Sequence, residues 1–241
     1  MKKTKIEWCD HTFNPWIGCT KISSGCKNCY ASKIAGRFGM AEWGDGAIRV
    51  IASPNYWLKP LAWNRLCGKK DIRDKVFCGS MCDIFDKKAE NAWRDNVYDL
   101  IKQTPNLDWL LLTKRAEYMK RYFDNKEVPE NAWLGVSVEN DKTIERINTL
   151  TSIKAKVRFV SCEPLLSEVI LPSNGNGIHW VICGCESGHY AREAKIEWIR
   201  SLRDQCKEYE IPFFLKQMRV GGRVVKMPKL DGVVHAEFPN Q

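Results

Sequence analysis

Short runs of consecutive apolar residues alternate along the chain with longer stretches in which apolar residues recur every three or four positions. The runs cover residues 75–80, 109–113, 133–137, 157–161, 180–184 and 212–216. Their apolar residues fall at successive positions rather than at every second one, the pattern of strands covered on both faces. The periodic stretches are 88–103, 116–123, 143–150 and 196–209. In the last, Ile196, Ile199, Leu202 and Cys206 form one stripe with charges between them. Strand and helix alternate, which predicts βα units around a parallel sheet. Upstream, residues 1–16 read as a lead-in and first strand, and Tyr30 opens a helix to about Phe38. Residues 39–60 read as an irregular surface excursion. A short helix follows over 57–66, then a basic loop over 67–75.

Six or seven βα units fit an α/β chain forming a parallel βα barrel, partial or irregular, or an open doubly wound sheet. No Gly-x-Gly-x-x-Gly turn follows the first strand, which argues against a dinucleotide fold. No linker or fixed-length repeat interrupts the pattern. One domain over 1–241 is expected, with 218–241 as a C-terminal tail packed on it.

Charge changes the picture modestly. The balance of 38 Lys and Arg against 29 Asp and Glu gives a net charge of +9. This points to a polyanion such as nucleic acid as a partner, or equally to solvated lysines. No apolar run approaches the ~20 residues of a membrane span. The start turns polar at once and has no apolar signal core. A cytoplasmic chain with reduced cysteines is expected. Eleven cysteines there suggest metal binding or catalysis rather than disulfides.

The densest chemistry lies in Cys19-Thr-Lys-Ile-Ser-Ser-Gly-Cys26-Lys-Asn-Cys29-Tyr30. It offers three thiols without an obvious fourth ligand. A structural zinc site needs four, for which Cys9 or His11 is available. A catalytic centre keeps one position open. The four histidines, His11, His179, His189 and His235, show no paired spacing. Polar groups also follow the apolar runs: Ser80, Cys82 and Asp83; Thr113, Lys114 and Arg115; Ser137, Glu139 and Asn140; Ser161, Cys162 and Glu163; Cys185, Glu186 and Ser187; Lys216 and Gln217. Carboxyl ends of strands converge on one face in βα folds. Helix capping accounts for some of these residues, such as Asp83 or Asp141. It does not account for Lys114, Arg115, Glu163, Glu186 or Lys216.

A three-Cys loop after the first strand of a βα barrel, with an aromatic directly after the third Cys, resembles the radical S-adenosylmethionine superfamily. More closely, Gly18-Cys-Thr, Gly25-Cys-Lys-Asn-Cys-Tyr-Ala31, Leu112-Thr-Lys-Arg115, Gly135-Val-Ser-Val-Glu-Asn140, Ser161-Cys-Glu-Pro-Leu165, Cys183-Gly-Cys-Glu-Ser-Gly188 and Phe214-Leu-Lys-Gln217 resemble a phage-associated, radical-SAM-like family of unknown function. The resemblance spans almost the whole chain. The interval between the first two thiols is six residues here against the superfamily's usual three.

The resemblance implies that Cys19, Cys26 and Cys29 hold a [4Fe–4S] cluster whose open iron binds S-adenosylmethionine. Reductive cleavage then gives a 5′-deoxyadenosyl radical that abstracts a substrate hydrogen. It implies an external flavodoxin- or ferredoxin-like electron donor. Tyr30 would pack beside the cluster or adenine. Ser80 and Asp83 would meet the methionine amino group. Ser137, Glu139 and Asn140 would take ribose hydroxyls or the carboxylate, and Lys114 or Arg115 an anionic group. Glu163, Glu186 and Lys216 are left for substrate. A nucleic-acid base or nucleotide is favoured as substrate by the charge, by the basic clusters within 65–75 and 219–229, and by the phage association. Cys183 and Cys185 alternate on one strand. A thiyl cysteine or a second cluster is a minor reading beside burial for the remaining thiols. The alternative overall is a zinc-stabilised nucleic-acid-binding protein without radical chemistry.

Overall fold

Strands form where the apolar runs are, and their order follows the chain. The computed structural model describes residues 4–188 and 190–240. His189 therefore lies outside the described residues, as do Met1, Lys2, Lys3 and Gln241. The elements are β1 (His11–Phe13), β2 (Trp16–Ile17), α1 (Tyr30–Arg37), β3 (Val50–Ile51), α2 (Pro54–Trp57), α3 (Lys59–Lys70), β4 (Asp74–Cys78), α4 (Asn91–Gln103), β5 (Leu107–Thr113), α5 (Ala116–Phe123), β6 (Ala132–Ser137), α6 (Glu145–Thr151), β7 (Val157–Cys162), β8 (Trp180–Gly184), α7 (Ile196–Glu208), β9 (Phe213–Val220), β10 (Arg223–Lys226), β11 (Lys229–Leu230) and β12 (Val233–Val234). An 8-stranded sheet runs in the order β1-β4-β5-β6-β7-β8-β9-β10. Every pairing in it is parallel until β10 returns antiparallel along β9. The sheet curls into a half-barrel, with β1 and β10 as its edges.

The alternation of side chains across each strand divides the core in two. One face buries Val76, Trp109, Leu111, Leu134, Val160, Val181 and Leu215 against Val97 and Ile101 of α4, Met119 of α5, Ile147 of α6 and Leu202 of α7. The opposite face buries Phe77, Leu110, Trp133, Phe159, Trp180, Ile182 and Phe214. No helix covers that second cluster among the described residues. Trp8 and Cys9 complete it from the N-terminal segment, with Ile6, Met227 and Phe238 packed against it. Helices on one face only select the barrel-like reading over a doubly wound sheet. Gly135 leaves room for the ring of Phe159, with which any Cβ at that position would collide.

Three segments differ from the sequence expectation. Residues 39–60 are not wholly irregular, since β3 pairs antiparallel with β2 and α2 follows. Helix α3 continues to Lys70, so Lys69 and Lys70 form its last turn rather than a loop. It ends at Asp71, which adopts a left-handed φ of 52°. Finally, β9 runs on to Val220 and β10 folds back along it, so the segment after 217 begins as sheet and not as a tail. Among the described residues no helix is long and apolar enough to cross a membrane.

Candidate functional site

The second face of the sheet is apolar near the strand starts and polar at their carboxyl ends. Following alternate residues, β5 passes from Leu110 and Leu112 to Lys114. From Trp133, β6 reaches Ser137; from Phe159, β7 reaches Ser161 and then Glu163. From Ile182, β8 leads past Gly184 to Glu186, and from Phe214, β9 reaches Lys216. All six polar groups line one cavity of roughly 350 Å³. Trp8 and Phe77, with ring centroids 4.6 Å apart, and Tyr30 supply aromatic walls. Cys19, Cys26 and Cys29 line the same cavity, as do Ser80, Asp83 and Arg115.

The cysteine loop is fastened to the strand ends by buried charges. Gly18 begins it at φ +115°, pairing with Cys82 across a parallel bridge. Arg115 donates to the Cys19 sulfur at 3.6 Å, to the Thr20 carbonyl at 2.7 Å and to Asp83 at 2.7 Å. Arg49 donates to the Thr20 hydroxyl at 2.6 Å and pairs with Asp86 at 2.7 Å. Glu139, fully buried, accepts from the Ser23 hydroxyl at 2.7 Å and pairs with Lys114 at 2.7 Å and Arg146 at 2.9 Å. A Cβ on Gly25 would collide with the Glu139 carboxylate. Asn140 donates to the Ser24 hydroxyl at 3.0 Å. Glu186 accepts from Asn28 at 2.8 Å and pairs with Arg192, which also donates to the Ser24 carbonyl at 2.9 Å. The Tyr30 hydroxyl donates to the Ser80 carbonyl at 2.8 Å. Each anchor removes conformational freedom that the loop would otherwise keep.

The chain belongs to the DUF5131 family, a protein family of unknown function. The family model matches residues 3–239. No curated protein and no solved structure matches the chain. The chemistry therefore has to be read from the geometry of the cavity.

Of the residues expected to meet cofactor or substrate, two lie off the cavity and several that line it are already paired within the protein. Glu139 and Asn140 lie behind the cysteine loop and do not line the cavity. Burial opposes the Glu139 charge, but Lys114 and Arg146 hold its pKa below the ordinary carboxylate value. Burial likewise opposes the Glu186 charge, yet hydrogen bonds from Arg192 and Asn28 bring its pKa down to about 2. Glu186 is thus a fixed anion that holds the loop. Asp83 is consumed by Arg115, the Thr113 hydroxyl at 2.6 Å and the Phe85 amide at 2.9 Å. Ser80 exchanges hydrogen bonds with Asn14. Glu163 and Lys216 face each other as an ion pair in the cavity wall, where the absent side chain of Gly184 leaves space for the Glu163 carboxylate.

The cysteines divide cleanly. Seven of the eleven are buried, and Cys19, Cys26, Cys29 and Cys82 are part-exposed. All four of the part-exposed thiols line the cavity, together with buried Cys185. Cys162, Cys183 and Cys206 belong to the helix-side core. Cys183 and Cys185, expected on one face, separate: Cys183 lies in the helix-side core and Cys185 lines the cavity, and the sheet register is irregular beside them, between Cys183 and Gly184. Burial pushes the free Cys19 thiol up to about 12, and Asp83 adds to the effect against Arg115.

For a metal, the cavity offers the three thiols of the loop, with Cys82 and Cys185 also in its lining. Among the described residues no three His, Cys, Asp or Glu side chains are already assembled as a centre. The two residues considered as a fourth zinc ligand lie elsewhere. His11 bonds Asp74 at 2.9 Å and stacks on Trp63 with centroids 4.2 Å apart. Cys9 sits in the aromatic core cluster. Arg49, Asp86, Arg146, Arg192, Ser23 and Asn28 escaped the sequence reading. Arg49 lies in a stretch that reads as a surface excursion, Arg146 in one that reads only as a helix, and Arg192 between the predicted elements. Nothing in their spacing marks their distant partners.

Proposed function

We propose that this chain is a radical S-adenosylmethionine enzyme acting on a nucleic-acid base or nucleotide. One observation carries the reading: the three thiols of the Cys19–Cys29 loop open into the same cavity as the polar carboxyl ends of five successive parallel strands. On this reading Cys19, Cys26 and Cys29 hold a [4Fe–4S] cluster, leaving a position for S-adenosylmethionine. When bound, that pair supplies one-electron cleavage of the sulfonium and hydrogen-atom abstraction from substrate.

The chain's own residues do the positioning. Arg115 orients Cys19. Glu139 and Glu186 fix the two ends of the intervening loop through Ser23 and Asn28. Lys114, Ser137 and Ser161 offer donors to a carboxylate or ribose. Trp8, Phe77 and Tyr30 offer flat faces to purine or base. Glu163 and Lys216 present a matched negative and positive charge to the substrate. The apolar floor excludes water from the space above it.

Anaerobic purification tests the reading. A brown protein with about four irons per chain, releasing 5′-deoxyadenosine when reduced with S-adenosylmethionine, is the expected result. Cys19→Ala, Cys26→Ala and Cys29→Ala each lose both properties, whereas Cys67→Ala, in the core, keeps them. The alternative is a zinc-stabilised nucleic-acid-binding protein. It is favoured by one observation, that part-exposed Cys82 lines the same cavity and offers a fourth thiolate. A colourless protein holding one zinc, lost on Cys82→Ala, establishes that reading and ends the first.

A further inference from the structure

The β9–β10 ribbon carries groups for which the cavity chemistry has no use. β9 pairs with β8 as far as Gln217, then continues through Met218, Arg219 and Val220 along β10. β9 is parallel to β8, so this extension rises beyond the carboxyl ends of the strands, on the side where the cavity opens. The base of the ribbon is cavity wall, since Lys216, Gln217 and Lys226 line it. Gly221 and Gly222 turn the tip with φ of 56° and 78°. Two successive positive φ values are what a tight two-residue hairpin turn requires.

Residues 216–229 include Lys216, Arg219, Arg223, Lys226 and Lys229 and no acidic residue. Cross-strand pairing sets Val220 opposite Arg223 and Met218 opposite Val225. Directly opposed residues share a face, so Val220, Arg223 and Val225 are exposed on the same side as Met218, which is buried in the helix-side core; that side of the ribbon turns away from the cavity. On the cavity-side face, next to Gln217 and Lys226, Arg219 lies opposite Val224. Its Nη1 donates to the Gly222 carbonyl at 2.9 Å, while its buried Nε has no partner. Lys226 is held at the cavity edge by Glu7 at 2.7 Å.

We propose that the β9–β10 ribbon docks a single-stranded stretch of polynucleotide and presents one base of it to the cavity. The proposal rests on the cavity being the active site, and names a polymer rather than a free nucleotide as its substrate. Arg223 at the ribbon's tip, with Arg219 and Lys226 on its cavity-side face, meets the phosphate backbone as the polynucleotide passes over the tip toward the cavity. The aromatic floor of Trp8 and Phe77 distinguishes a polynucleotide from an acidic polypeptide of equal charge, because every base has a flat face to stack.

The test is fluorescence anisotropy with a labelled single-stranded DNA oligonucleotide over a range of salt, on the full chain. Arg223→Glu weakens binding about tenfold and makes the log–log salt dependence shallower by roughly 1 for each phosphate that is no longer neutralised. Lys70→Glu makes the same change in net charge near the strand starts, at the opposite end of the sheet, and shifts binding far less. If Arg223→Glu fails to fold by circular dichroism, Arg219→Gln with Arg223→Gln is read in its place. Equal losses from the ribbon and Lys70 variants overturn the proposal, as does polyglutamate binding as tightly as the oligonucleotide. A chain that holds iron and cleaves S-adenosylmethionine, yet binds no oligonucleotide, overturns the docking alone. A chain that binds through Arg223 but holds no iron overturns the radical reading alone.

Discussion

Glu139 and Glu186 are the carboxylates that tie the cysteine loop to the strand ends. Both follow strands as a substrate-binding carboxylate would, and both are spent on the cysteine loop. The proximity of Gly25 to Glu139 makes a direct test. Gly25→Ala forces the carboxylate aside and costs about 1–3 kcal/mol, read as a fall in denaturation midpoint. On the proposed cluster reading it also lowers the iron retained per chain, which Gly36→Ala, with nothing near its added Cβ, does not. Glu186 gives a pH signature. Its folded pKa of about 2 lies below the ordinary 4.5. Its charge therefore stabilises the fold above pH 4.5, and that contribution is lost as pH falls from 4.5 toward 2. Denaturant titrations across that range are expected to fall more steeply for the natural chain than for Glu186→Gln. Parallel curves would show that the Arg192 pair does not form. The three thiols were legible because their spacing is local. Arg49, Arg146 and Arg192 were not, because an arginine reads as surface unless its distant partner is known.

At the scale of elements, the apolar runs located every long parallel strand, and the periodic stretches located α4 to α7. Continuous burial leaves strands little ambiguity: in β6 each residue from Ala132 to Ser137 is buried. The misses came where local pattern is weakest. β2 and β3 are two residues each, too short to show a period. β9 outruns its apolar core because its last residues pair with β10 alone and need no burial. Trp180 shows what the aromatic cluster contributes. It is fully buried, and its rings lie 6.3 Å or less, centroid to centroid, from Trp8, Trp133, Phe159, Phe214 and Phe238. Trp180→Ala is expected to destabilise the chain by about 3–5 kcal/mol. Thermal melting measures the loss, and a change under about 1 kcal/mol, well below the usual cost of removing a buried Trp, would mean that the N- and C-terminal segments do not close over this face.

For the whole molecule, helix–strand alternation gave the class but not the side on which helices pack, which is what separates a half-barrel from a doubly wound sheet. That choice depends on which strand face meets which helix stripe, and strands apolar on both faces conceal it. The cavity follows from the choice, because one uncovered face must be filled by chain ends below and by polar strand ends above. The anchors of the cysteine loop also impose an order in time. Ser23 reaches Glu139 across 116 residues, Asn28 reaches Glu186 across 158, and Ser24 reaches Arg192 across 168. Pairings of such long range form late, once the intervening strands are in register. The Cys26–Cys29 end of the loop thus gains its last anchors only when β8 has joined the sheet. A chain still lacking that strand can tie down the Cys19 end, through Arg49, Arg115 and the Gly18–Cys82 bridge; the Cys26–Cys29 end waits for Glu186 and Arg192.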